Sequence, residues 1–450
     1  MSQKPLNIVI LAAGKGTRMN SQGSNEQPKV MHELAGLPMI NWLLKTAEQL
    51  SPEKIIVVTG PDMPELEAAA KPHTTVIQPE RNGTAGAVRA ALPLLEDFTG
   101  DVLVLLGDTP LIKQETLTSL IEAKGNGGLS VLGCVMDNPS GYGRLIAEKN
   151  VLKKIVEDKD ASAKEKEVKL VNTGAFCVDG ARLSDWVNAI GNDNTQGEYY
   201  LTDLPEIAAK NRSEAFVSMT LDEAEVRGCN TLADLAALEA TLQNRLRQSA
   251  MESGARLQDP GTVYFHHDTK IGQGVTIEPN VFFGRGADIA DNVTIRAFCH
   301  IEETKISEHS EIGPFARLRR GAVLAENVKI GNFVEVKNSV MAQGSKANHL
   351  AYIGDSSVGE NSNIGAGTIT CNYNGFEKNK TKIGSNVFIG SNAALIAPVT
   401  IGDGAIVAAG STITEDVPAD SLSMGRSKAE VKEGWAATYR KLKLSKKKSA

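Results

Sequence analysis

The stretch LAAGKGTRM, residues 11–19, carries residue types that bind phosphate. Its glycines and small alanines let backbone N–H groups approach an anionic oxygen closely, and Lys15 and Arg18 add positive charge. The spacing is neither the dinucleotide motif GxGxxG nor the phosphate loop GxxxxGK followed by Ser or Thr. Taken alone, a Gly-Lys-Gly turn after a strand is a weak signal for an anion-binding loop.

A second candidate is His349, in the stretch GSKANHLAYIGD, residues 344–355. An unperturbed imidazole titrates near neutral pH, so it can serve as a general base. A lone histidine more often has a structural or surface role. The choice between a catalytic and a structural role for His349 therefore depends on its context, which is a long sequence repeat.

The repeat runs from Ile271 to about Ile413 with a period of six residues. A period of six fits neither a helix nor an alternating strand, but it fits a solenoid of short parallel strands with one aliphatic side chain pointing inward per strand. The alternative is an ordinary aliphatic-rich all-β domain. It would require eighteen in-register positions to arise by accident: Ile271, Ile277, Phe283, Ile289, Ile295, Ile301, then after a step of five Ile306, Ile312, Leu318, Leu324, Ile330, Val336, and later Ile383, Ile389, Leu395, Ile401, Val407 and Ile413.

The period weakens in the middle of the repeat. The sixes there fall on Val340, Lys346, Tyr352, Val358, Ile364 and Thr370. Lys346 and Tyr352 are poor choices for a dry aliphatic stack. The next step is thirteen residues, to Ile383, which predicts that CNYNGFEKNK, residues 371–380, leaves the coil as a loop. Because sequences tend to break local rules where they do chemistry, we expect a site here, near His349.

Composition bounds the class of protein. The 450 residues are 41% hydrophobic and 23% charged, as in a well-cored soluble protein of roughly three domains. The net charge of −6 gives no electrostatic case for nucleic acid. Five scattered cysteines without a CxxC pair favour a reducing cytoplasm, and the apolar run 8–13 is too short for a membrane span. The basic tail KLKLSKKKSA is expected to be solvated and disordered.

Residues 5 to about 227 alternate short apolar runs with amphipathic segments, which predicts an α/β doubly wound, largely parallel sheet. The predicted strands are residues 7–13, 54–60, 74–78, 101–108 and 129–135. Ligands on such sheets bind beyond the carboxyl ends of the strands, where LAAGKGTRM lies. A connecting helix is expected over residues 231–249, with one leucine-rich face and a cap formed by Thr231 and Asp234.

The full string LAAGKGTRM, followed by Lys29 in QPKV, is similar to the signature of the sugar-nucleotide pyrophosphorylases. These nucleotidyltransferases join a sugar 1-phosphate to a nucleoside triphosphate, and the resemblance implies a Rossmann-like domain. It further implies that Gln78, Gly83 and Thr84 recognise uracil. The implied UTP and UDP-N-acetylglucosamine positions are Leu11, Ala12, Ala13, Gly14, Lys29, Gln78, Gly83, Thr84, Gly143, Glu157, Asn172 and Asn230.

The resemblance also implies catalytic cations and a metal site. The sugar phosphate attacks the α-phosphorus of UTP in line, so catalysis is mainly positioning and charge neutralisation. Arg18 and Lys29 are the implied catalytic cations, and Asp108 with Asn230 would bind Mg²⁺, which prefers oxygen ligands. In the plainer alternative, Asp108 caps the next turn and Asn230 caps the following helix. Leu106 stands where the family usually has an aromatic residue.

Over nearly the whole chain, a pyrophosphorylase domain, a long helix and hexapeptide repeats resemble the bacterial bifunctional N-acetylglucosamine-1-phosphate uridyltransferases and glucosamine-1-phosphate N-acetyltransferases. The motifs IGPFARLR, GNFVEVKN, IGAGTITCNYNG and PVTIGDGAIVAAGS support this. The resemblance implies a left-handed parallel β-helix, against the usual right-handed crossover. It also implies a homotrimer with acetyl-transfer sites between subunits, and domains at residues 1–229, 230–250 (a linker helix) and 251–450 with a C-terminal tail.

By the same resemblance, His349 is the base that takes a proton from the glucosamine ammonium, because only the neutral amine can attack a thioester. The implied glucosamine 1-phosphate positions are Arg319, Lys337, Tyr352 and Asn363. The implied acetyl-CoA positions are Ala366, Asn372, Tyr373, Ser391, Ala409 and Arg426. Arg320 replaces a typical proline, a departure expected to be structural.

The expected function is acetyl transfer from acetyl-CoA to glucosamine 1-phosphate, then uridylyl transfer from UTP with release of pyrophosphate. The product, UDP-N-acetylglucosamine, would supply peptidoglycan and lipopolysaccharide precursors. One alternative treats the β-helix as an inert trimerisation scaffold, and another has the first domain use ATP and glucose 1-phosphate. A trimeric zinc carbonic anhydrase is rejected because, of seven histidines, only His266 and His267 are close in sequence.

Overall fold

The computed structural model describes residues 4–14, 16, 19 and 27–448. The chain divides into two compact units, residues 1–245 and 246–450. The helix Leu232–Glu252 includes this division. Within the described ranges, no helix is both long enough and apolar enough to cross a membrane.

The first unit is built on a nine-stranded mixed sheet. In order across the sheet, the strands are Thr74–Ile77, Lys54–Thr59, Leu6–Leu11, Asp101–Leu106, Leu170–Asp179, Leu129–Val135, Ala215–Thr220, Val151–Val156 and Arg144–Glu148. A separate hairpin pairs Glu33–Leu34 with Leu37–Pro38. The α-helices are Met39–Gln49, Pro64–Ala69, Thr84–Ala91, Gln114–Lys124, Ala163–Lys166, Gly180–Asn188, Leu204–Lys210 and Leu232–Glu252. Short 3-10 turns lie at Lys29–Met31, Leu92–Leu95, Leu201–Asp203 and Glu223–Glu225.

Helices cover both faces of this sheet, as a doubly wound fold requires. Ile8 and Ile10 pack into one buried core, while Val9 between them packs into the core on the opposite face. All five predicted strands are present and end within two residues of the predicted positions. The strand Leu170–Asp179, which the sequence did not predict, runs antiparallel to both of its main neighbours.

The helix Thr84–Ala91 ends two residues before Pro93. Pro93 has no N–H to continue the helical ladder, so the chain tightens into the 3-10 turn Leu92–Leu95. The helix Leu232–Glu252 begins with the predicted cap. Thr231 Oγ1 accepts the Asp234 N–H at 3.1 Å, and the Asp234 carboxylate accepts the Thr231 N–H at 2.8 Å.

The second unit is a left-handed parallel β-helix, as predicted, with three faces of short strands. The first face has ten strands: Arg256–Leu257, Thr276–Ile277, Thr294–Ile295, Glu311–Ile312, Lys329–Asn332, Lys346–His349, Asn363–Ile364, Phe388–Ile389, Ile406–Val407 and Leu422–Ser423. The second face has eight: Phe282–Phe283, His300–Ile301, Arg317–Arg319, Glu335–Lys337, Tyr352–Gly354, Ile369–Cys371, Ala394–Ile396 and Thr412–Ile413. The third face has eight: Lys270–Ile271, Asp288–Ile289, Thr304–Ile306, Ala322–Leu324, Val340–Met341, Ser356–Val358, Thr381–Ile383 and Val399–Ile401. A 3-10 turn, Pro260–Thr262, lies near its start.

The prediction that the repeat weakens between Val340 and Thr370 was wrong in its physical basis. The inward side chains there are Met341, Ala347 and Ile353, each at most 1% exposed. Lys346 is exposed and Tyr352 is half-buried on the outside, while Val340 is 50% exposed. The count is shifted by one residue over these three positions and returns to the predicted one at Val358, Ile364 and Thr370, each at most 3% exposed.

The shift arises because some coils are one residue shorter than others. Leu318 pairs with Val336, and Val336 pairs with Ile353, which closes a coil one residue shorter than the preceding one. The predicted loop is confirmed. Val358 pairs directly with Ile383, so the longer coil between them accommodates residues 372–380 outside the strands.

The basic C-terminal segment differs from the expectation of solvated disorder. It forms a helix, Trp435–Lys448, whose side chains are exposed through Leu444. Alanine, leucine, lysine and arginine are strong helix formers, which accounts for the difference.

Candidate active sites

The first unit contains a cavity of about 300 Å³ at the carboxyl ends of the strands Leu6–Leu11 and Asp101–Leu106. This is the edge at which a doubly wound sheet binds its ligands. The lining residues are Leu11, Ala12, Ala13, Gly14, Lys29, Val30, Gln78, Arg81, Gly83, Thr84, Ala87, Leu106, Asp108, Glu198 and Tyr200. Nine of the residues expected to bind nucleotide or metal therefore share one cavity. Lys15 and Arg18 lie outside the described residues.

Three segments of the chain meet at the cavity wall. Lys29 Nζ forms an ion pair with Asp108 Oδ2 and donates a hydrogen bond to Asn230 Oδ1 at 3.2 Å. The Lys29 and Asp108 side chains are only 15% and 16% exposed. A Cβ on Gly16 would overlap the Lys29 side chain, so a glycine is required for the loop to pack here. A carboxylate oxygen and an amide oxygen thus converge on one cationic group.

The alternative in which Asp108 and Asn230 act only as caps does not fit the observed contacts of their side chains. Thr231, and not Asn230, caps the helix that follows. The Asn230 backbone N–H donates to Asp234 Oδ2 at 3.0 Å, while its side chain turns towards Lys29. The Asp108 carboxylate binds Lys29, and its carbonyl accepts the Cys229 N–H at 3.0 Å. The cap at Asp234 therefore fixes the backbone that carries Asn230.

The three residues expected at the uracil base form one wall of the cavity. Gln78 is 4% exposed, and its Nε2 donates to the Gly83 carbonyl at 3.2 Å. Gly83 has φ of 110°, which a side chain would strain, and a Cβ there would also overlap Tyr199. Thr84 Oγ1 accepts the Leu201 N–H at 3.0 Å. These contacts hold the amide of Gln78 in a fixed orientation.

Gly143, Glu157 and Asn172, which also belong to the expected UDP-N-acetylglucosamine positions, lie together outside the lining of this cavity. The Asn172 N–H donates to the Gly143 carbonyl at 2.8 Å. A Cβ on Gly143 would lie 3.6 Å from Glu157 Oε1, which places Gly143 beside this carboxylate. Burial raises the pKa of Glu157 above its usual value, and a hydrogen bond with Thr202 partly offsets this.

Sequence reasoning missed Arg81, Glu198 and Tyr200, which line the same cavity. Arg81 follows the strand Thr74–Ile77 closely, and a charged residue just beyond a strand's carboxyl end was the available signal. Glu198 and Tyr200 follow no predicted strand, so no comparable signal pointed to them. Leu106, the departure from the family pattern, lines the cavity and fills the space that a Cβ on Gly174 would need.

In the second unit, His349 is the last residue of the strand Lys346–His349 and stands at the corner where the first face ends. It is exposed, and its Nδ1 lies 2.7 Å from Asn332 Oδ1 on the preceding coil. A shallow groove around these two side chains is also lined by Pro314, Phe315 and Phe333.

Four residues expected to bind acetyl-CoA stack above His349 at the same corner. Backbone hydrogen bonds join each coil to the next: Gly367 N to the His349 carbonyl at 3.3 Å, Asn392 N to the Ala366 carbonyl at 2.7 Å, and Gly410 N to the Ser391 carbonyl at 2.8 Å. The Ala409 carbonyl then accepts Arg426 Nη1 at 2.8 Å. His349, Ala366, Ser391, Ala409 and Arg426 therefore form one corner column.

A cationic cluster lies on the second face. Arg319 Nη1 pairs with Glu335 Oε1 at 2.7 Å, and Arg319 stands beside Lys337 in register. The neighbouring Lys337 side chain, with its positive charge, lowers the pKa of Lys378, so the two lysines lie close together. Two ammonium groups held this close favour an anion beside them. Sequence reasoning missed Lys378, because nothing in the loop's composition indicates that it returns to this face.

The remaining residues divide between faces. Asn372 Nδ2 donates to the Tyr352 hydroxyl at 3.4 Å and also to Asp355, beside the cationic cluster. Tyr373 is 61% exposed, and its hydroxyl donates to the Gly375 carbonyl at 2.6 Å. Asn363 lies on the first face, paired with Lys346 and not with the strands that carry Arg319 and Tyr352. One chain therefore does not bring Asn363 to the cationic cluster.

Two further features have local explanations. Arg320 pairs with Glu303 at 3.2 Å, and Glu303 also binds Arg285 at 2.6 Å, so Arg320 joins a surface ion network. His266 and His267, with Asp268, place possible metal-ligand atoms within 4.8 Å of one another. Asp268 accepts hydrogen bonds from His266 and from the Gly286 N–H of the next coil, which accounts for the group as a hydrogen-bonded corner.

Comparison with known proteins agrees with both units. The MobA-like NTP transferase domain matches residues 8–166, and the bacterial transferase hexapeptide (six repeats) matches residues 268–303 and 380–415. The bifunctional protein GlmU of Paramagnetospirillum magneticum is 47% identical over 450 residues, covering 99% of each chain. That of Zymomonas mobilis is 48% identical over 453 residues, covering 99% of this chain and 100% of the relative. That of Bradyrhizobium diazoefficiens is 50% identical over 445 residues, covering 98% of each chain.

The fold and the two sites define a two-domain transferase, a nucleotidyltransferase unit followed by a hexapeptide acyltransferase unit. The chain belongs to the GlmU family of bifunctional proteins. The prediction of a bifunctional enzyme of UDP-N-acetylglucosamine biosynthesis is confirmed at the level of this family.

Proposed function

We propose that the chain acetylates glucosamine 1-phosphate with acetyl-CoA, then transfers the uridylyl group of UTP to the resulting N-acetylglucosamine 1-phosphate. The observation that carries the second step is the convergence of Asp108 and Asn230 oxygens on one cationic group in the cavity. We assign the first step, acetyl transfer, to His349 and to the cationic cluster of the second unit. We also propose a cytoplasmic location, which the five cysteines, all free in the structure, support.

For uridylyl transfer, an oxygen of the sugar phosphate attacks the α-phosphorus of UTP, and the bond to the departing pyrophosphate breaks. Asp108 and Asn230 offer the hard oxygen donors that suit Mg²⁺. A bound Mg²⁺ would neutralise charge that spreads over the phosphates in the transition state. Lys29 reaches the same point, so we assign it, with Arg18, to hold the triphosphate and stabilise the departing pyrophosphate.

We assign the uracil base to the cavity wall that contains Gln78, and the sugar to the neighbouring group of Gly143, Glu157 and Asn172. Gln78, with its amide fixed by the Gly83 carbonyl, supports recognition of the hydrogen-bonding edge of uracil. Glu157 offers a carboxylate to a sugar hydroxyl beside Gly143 and Asn172. Its partly desolvated carboxylate would gain a hydrogen-bond donor when the sugar binds.

For acetyl transfer, His349 takes a proton from the glucosamine ammonium, and the free amine attacks the thioester carbonyl. The C–S bond then breaks, and the departing CoA thiolate takes up the second proton that the nitrogen releases as the amide forms. We assign Nδ1–H of His349 to donate to Asn332 Oδ1, which leaves Nε2 as the base. Arg319, Lys337 and Lys378 would bind the sugar phosphate, whose charge offsets the repulsion between the two lysines. The corner column of Ala366, Ser391, Ala409 and Arg426 would lie along acetyl-CoA, beside Asn372 and Tyr373.

We further propose a homotrimer through the β-helix, with each acetyl-transfer site completed by a neighbouring chain. The position of Asn363 on a different face from Arg319 and Tyr352 supports this, because one sugar could contact all three only if a second chain faced the first. An aromatic column also supports it. Phe298, Phe315 and Phe333 are 52%, 44% and 55% exposed and stack with centroids 4.8 and 5.1 Å apart. Exposed apolar groups of this size are typical of interfaces.

The test is a substrate comparison on the purified protein with Mg²⁺. We expect CoA release from glucosamine 1-phosphate and acetyl-CoA, and pyrophosphate release from N-acetylglucosamine 1-phosphate and UTP. Pyrophosphate without any CoA would favour the inert scaffold. Faster turnover of ATP with glucose 1-phosphate than of UTP with N-acetylglucosamine 1-phosphate would contradict the assigned substrates.

A further inference from the structure

We propose that Arg81 is a nucleotide-positioning residue, whose guanidinium fixes the glycine-rich loop and adds a positive charge to the cavity that receives UTP. The inference rests on the proposed uridylyl transfer. It adds a third cationic residue to Arg18 and Lys29, from the segment that follows the strand Thr74–Ile77. It starts from the place of Arg81 in the cavity wall, among the residues assigned to the nucleotide.

Arg81 joins loops that follow three neighbouring parallel strands. Its Nε donates to the Ala13 carbonyl at 2.6 Å, and its Nη2 lies 3.5 Å from the Pro61 carbonyl. Ala13 follows the strand Leu6–Leu11, Pro61 follows Lys54–Thr59, and Arg81 itself follows Thr74–Ile77. One side chain thus fixes the loop that would approach the phosphates relative to the segment that carries Gln78.

The neighbouring backbone leaves space for this side chain. A Cβ on Gly60 would overlap the Arg81 guanidinium, so the glycine leaves the space that the guanidinium occupies. The fork of a guanidinium can bind two carbonyls at fixed angles, which a lysine ammonium cannot reproduce. The position therefore favours arginine for its geometry as well as for its charge.

Arg81 and Lys29 differ in whether a carboxylate neutralises their positive charge. Lys29 pairs with the carboxylate of Asp108, whereas both acceptors of Arg81 are neutral carbonyls. Within the described part of the chain, the contacts of Arg81 therefore do not pair its positive charge with a carboxylate. A triphosphate entering the cavity would meet that charge in a partly desolvated setting, where its effect is larger than in water.

The experiment compares Arg81→Lys and Arg81→Gln in the full-length protein, with Arg89→Gln as the matched control. Arg89 lies eight residues further along and also donates to backbone carbonyls, those of Val187 and Ile190 at 3.0 and 2.7 Å, but it does not line the cavity. The measurements are kcat and KM for UTP, inhibition by uridine, direct UTP binding by calorimetry, and CoA release as a control for folded protein.

We expect Arg81→Gln to raise KM for UTP about tenfold, the size of a lost hydrogen-bonded charge, with kcat and CoA release changed less than about threefold. Arg81→Lys keeps the charge and should recover part of the loss. Inhibition by uridine, which has no phosphate, should stay unchanged in both variants. Arg89→Gln should leave KM for UTP within about twofold of the unmodified protein.

An unchanged KM for UTP in Arg81→Gln would overturn the proposal, as would an equal loss of uridine and UTP affinity. An equal rise in Arg89→Gln would assign the effect to general loosening of the unit. If the unmodified protein released no pyrophosphate, the proposed uridylyl transfer would be wrong. The calorimetric UTP affinities of the Arg81 variants would then still decide whether Arg81 positions the nucleotide.

Discussion

Lys29 and Asp108 form an ion pair in the wall of the first unit's cavity, and the Lys29 ammonium also donates to Asn230 Oδ1 at 3.2 Å. The three residues come from segments far apart in the chain. Each is held by a local device: Lys29 by a 3-10 turn, Asp108 by the end of a buried strand, and Asn230 by the cap of the helix that follows. The fold thus brings together a cation-binding pair of oxygens, from Asp108 and Asn230, although no single sequence motif contains both residues.

The helix cap is expected to affect both stability and activity. Asp234→Ala removes the acceptor of the Asn230 and Thr231 N–H groups, at a cost of about 1–2 kcal/mol in the free energy of unfolding. Because Asn230 is then less firmly placed, half-maximal pyrophosphate release should need more Mg²⁺. Urea unfolding and a Mg²⁺ titration would check this. Glu252→Ala, at the other end of the same helix, is the control and should leave the Mg²⁺ requirement unchanged. A destabilised Asp234→Ala with an unaltered Mg²⁺ requirement would contradict the link between cap and site.

Glu157→Gln should stabilise the protein at alkaline pH while weakening substrate binding. Burial raises the pKa of Glu157 in the folded state, so the folded protein retains the proton to higher pH than the unfolded chain does. Stability from this group is therefore present below the ordinary glutamate pKa and is lost as pH rises through the raised value. The variant should have the higher Tm at pH 8, and its advantage should vanish at low pH. Its KM for N-acetylglucosamine 1-phosphate should rise about tenfold, the size of a lost charged hydrogen bond. If the difference in Tm in favour of the variant instead grew as the pH fell, the proposed direction of the pKa shift would be wrong.

The inward register of the β-helix can be tested at two nearby positions. Met341→Ala removes a fully buried side chain and should cost about 2–5 kcal/mol, whereas Lys346→Ala on the exposed face should stay within about 0.5 kcal/mol. Thermal unfolding of both variants, at one protein concentration, provides the comparison. Equal losses, or a larger loss at Lys346, would restore the register predicted from the sequence.

Asn332 is expected to act through His349. Asn332→Ala removes the acceptor 2.7 Å from His349 Nδ1, so the ring loses its fixed orientation and tautomer. CoA release should fall about tenfold or more, and its pH profile should shift, while pyrophosphate release stays unchanged. Asn327→Ala is the control for loss of a β-helix asparagine, because its side chain donates only to the neighbouring Glu326, at 3.0 Å, and touches no residue assigned to the site. An unshifted pH profile with an unchanged rate would leave Asn332 without a part in catalysis.

The periodic parts of the fold were predictable from the sequence. Apolar runs such as residues 101–106 and the sixfold spacing of Ile383, Ile389 and Leu395 report burial directly, because one inward side chain per strand must be apolar. The register change was not predictable in the same way. Val340 is as aliphatic as Met341, and both were consistent with an inward position until strand pairing distinguished them.

The residues that line the cavity of the first unit were largely predictable in the glycine-rich loop, but Arg81 was not. The motif LAAGKGTRM and Lys29 carry a family signature, whereas the role of Arg81 depends on the carbonyls of Ala13 and Pro61, which only tertiary structure brings together. The acetyl-transfer site was incomplete for a similar reason. Lys378 reaches Lys337 through the path of a loop, which sequence spacing does not encode.

The central claim is that the two units carry two independent transfer sites. The most direct test follows CoA and pyrophosphate separately in Asp108→Asn, in His349→Ala and in the unmodified protein, with glucosamine 1-phosphate, acetyl-CoA, UTP and Mg²⁺. We predict that Asp108→Asn loses pyrophosphate release by about a hundredfold or more and keeps CoA release. His349→Ala should lose CoA release yet still convert supplied N-acetylglucosamine 1-phosphate at the normal rate. If either substitution abolished both activities in a folded protein, or if neither affected its assigned product, the two-site account would be contradicted.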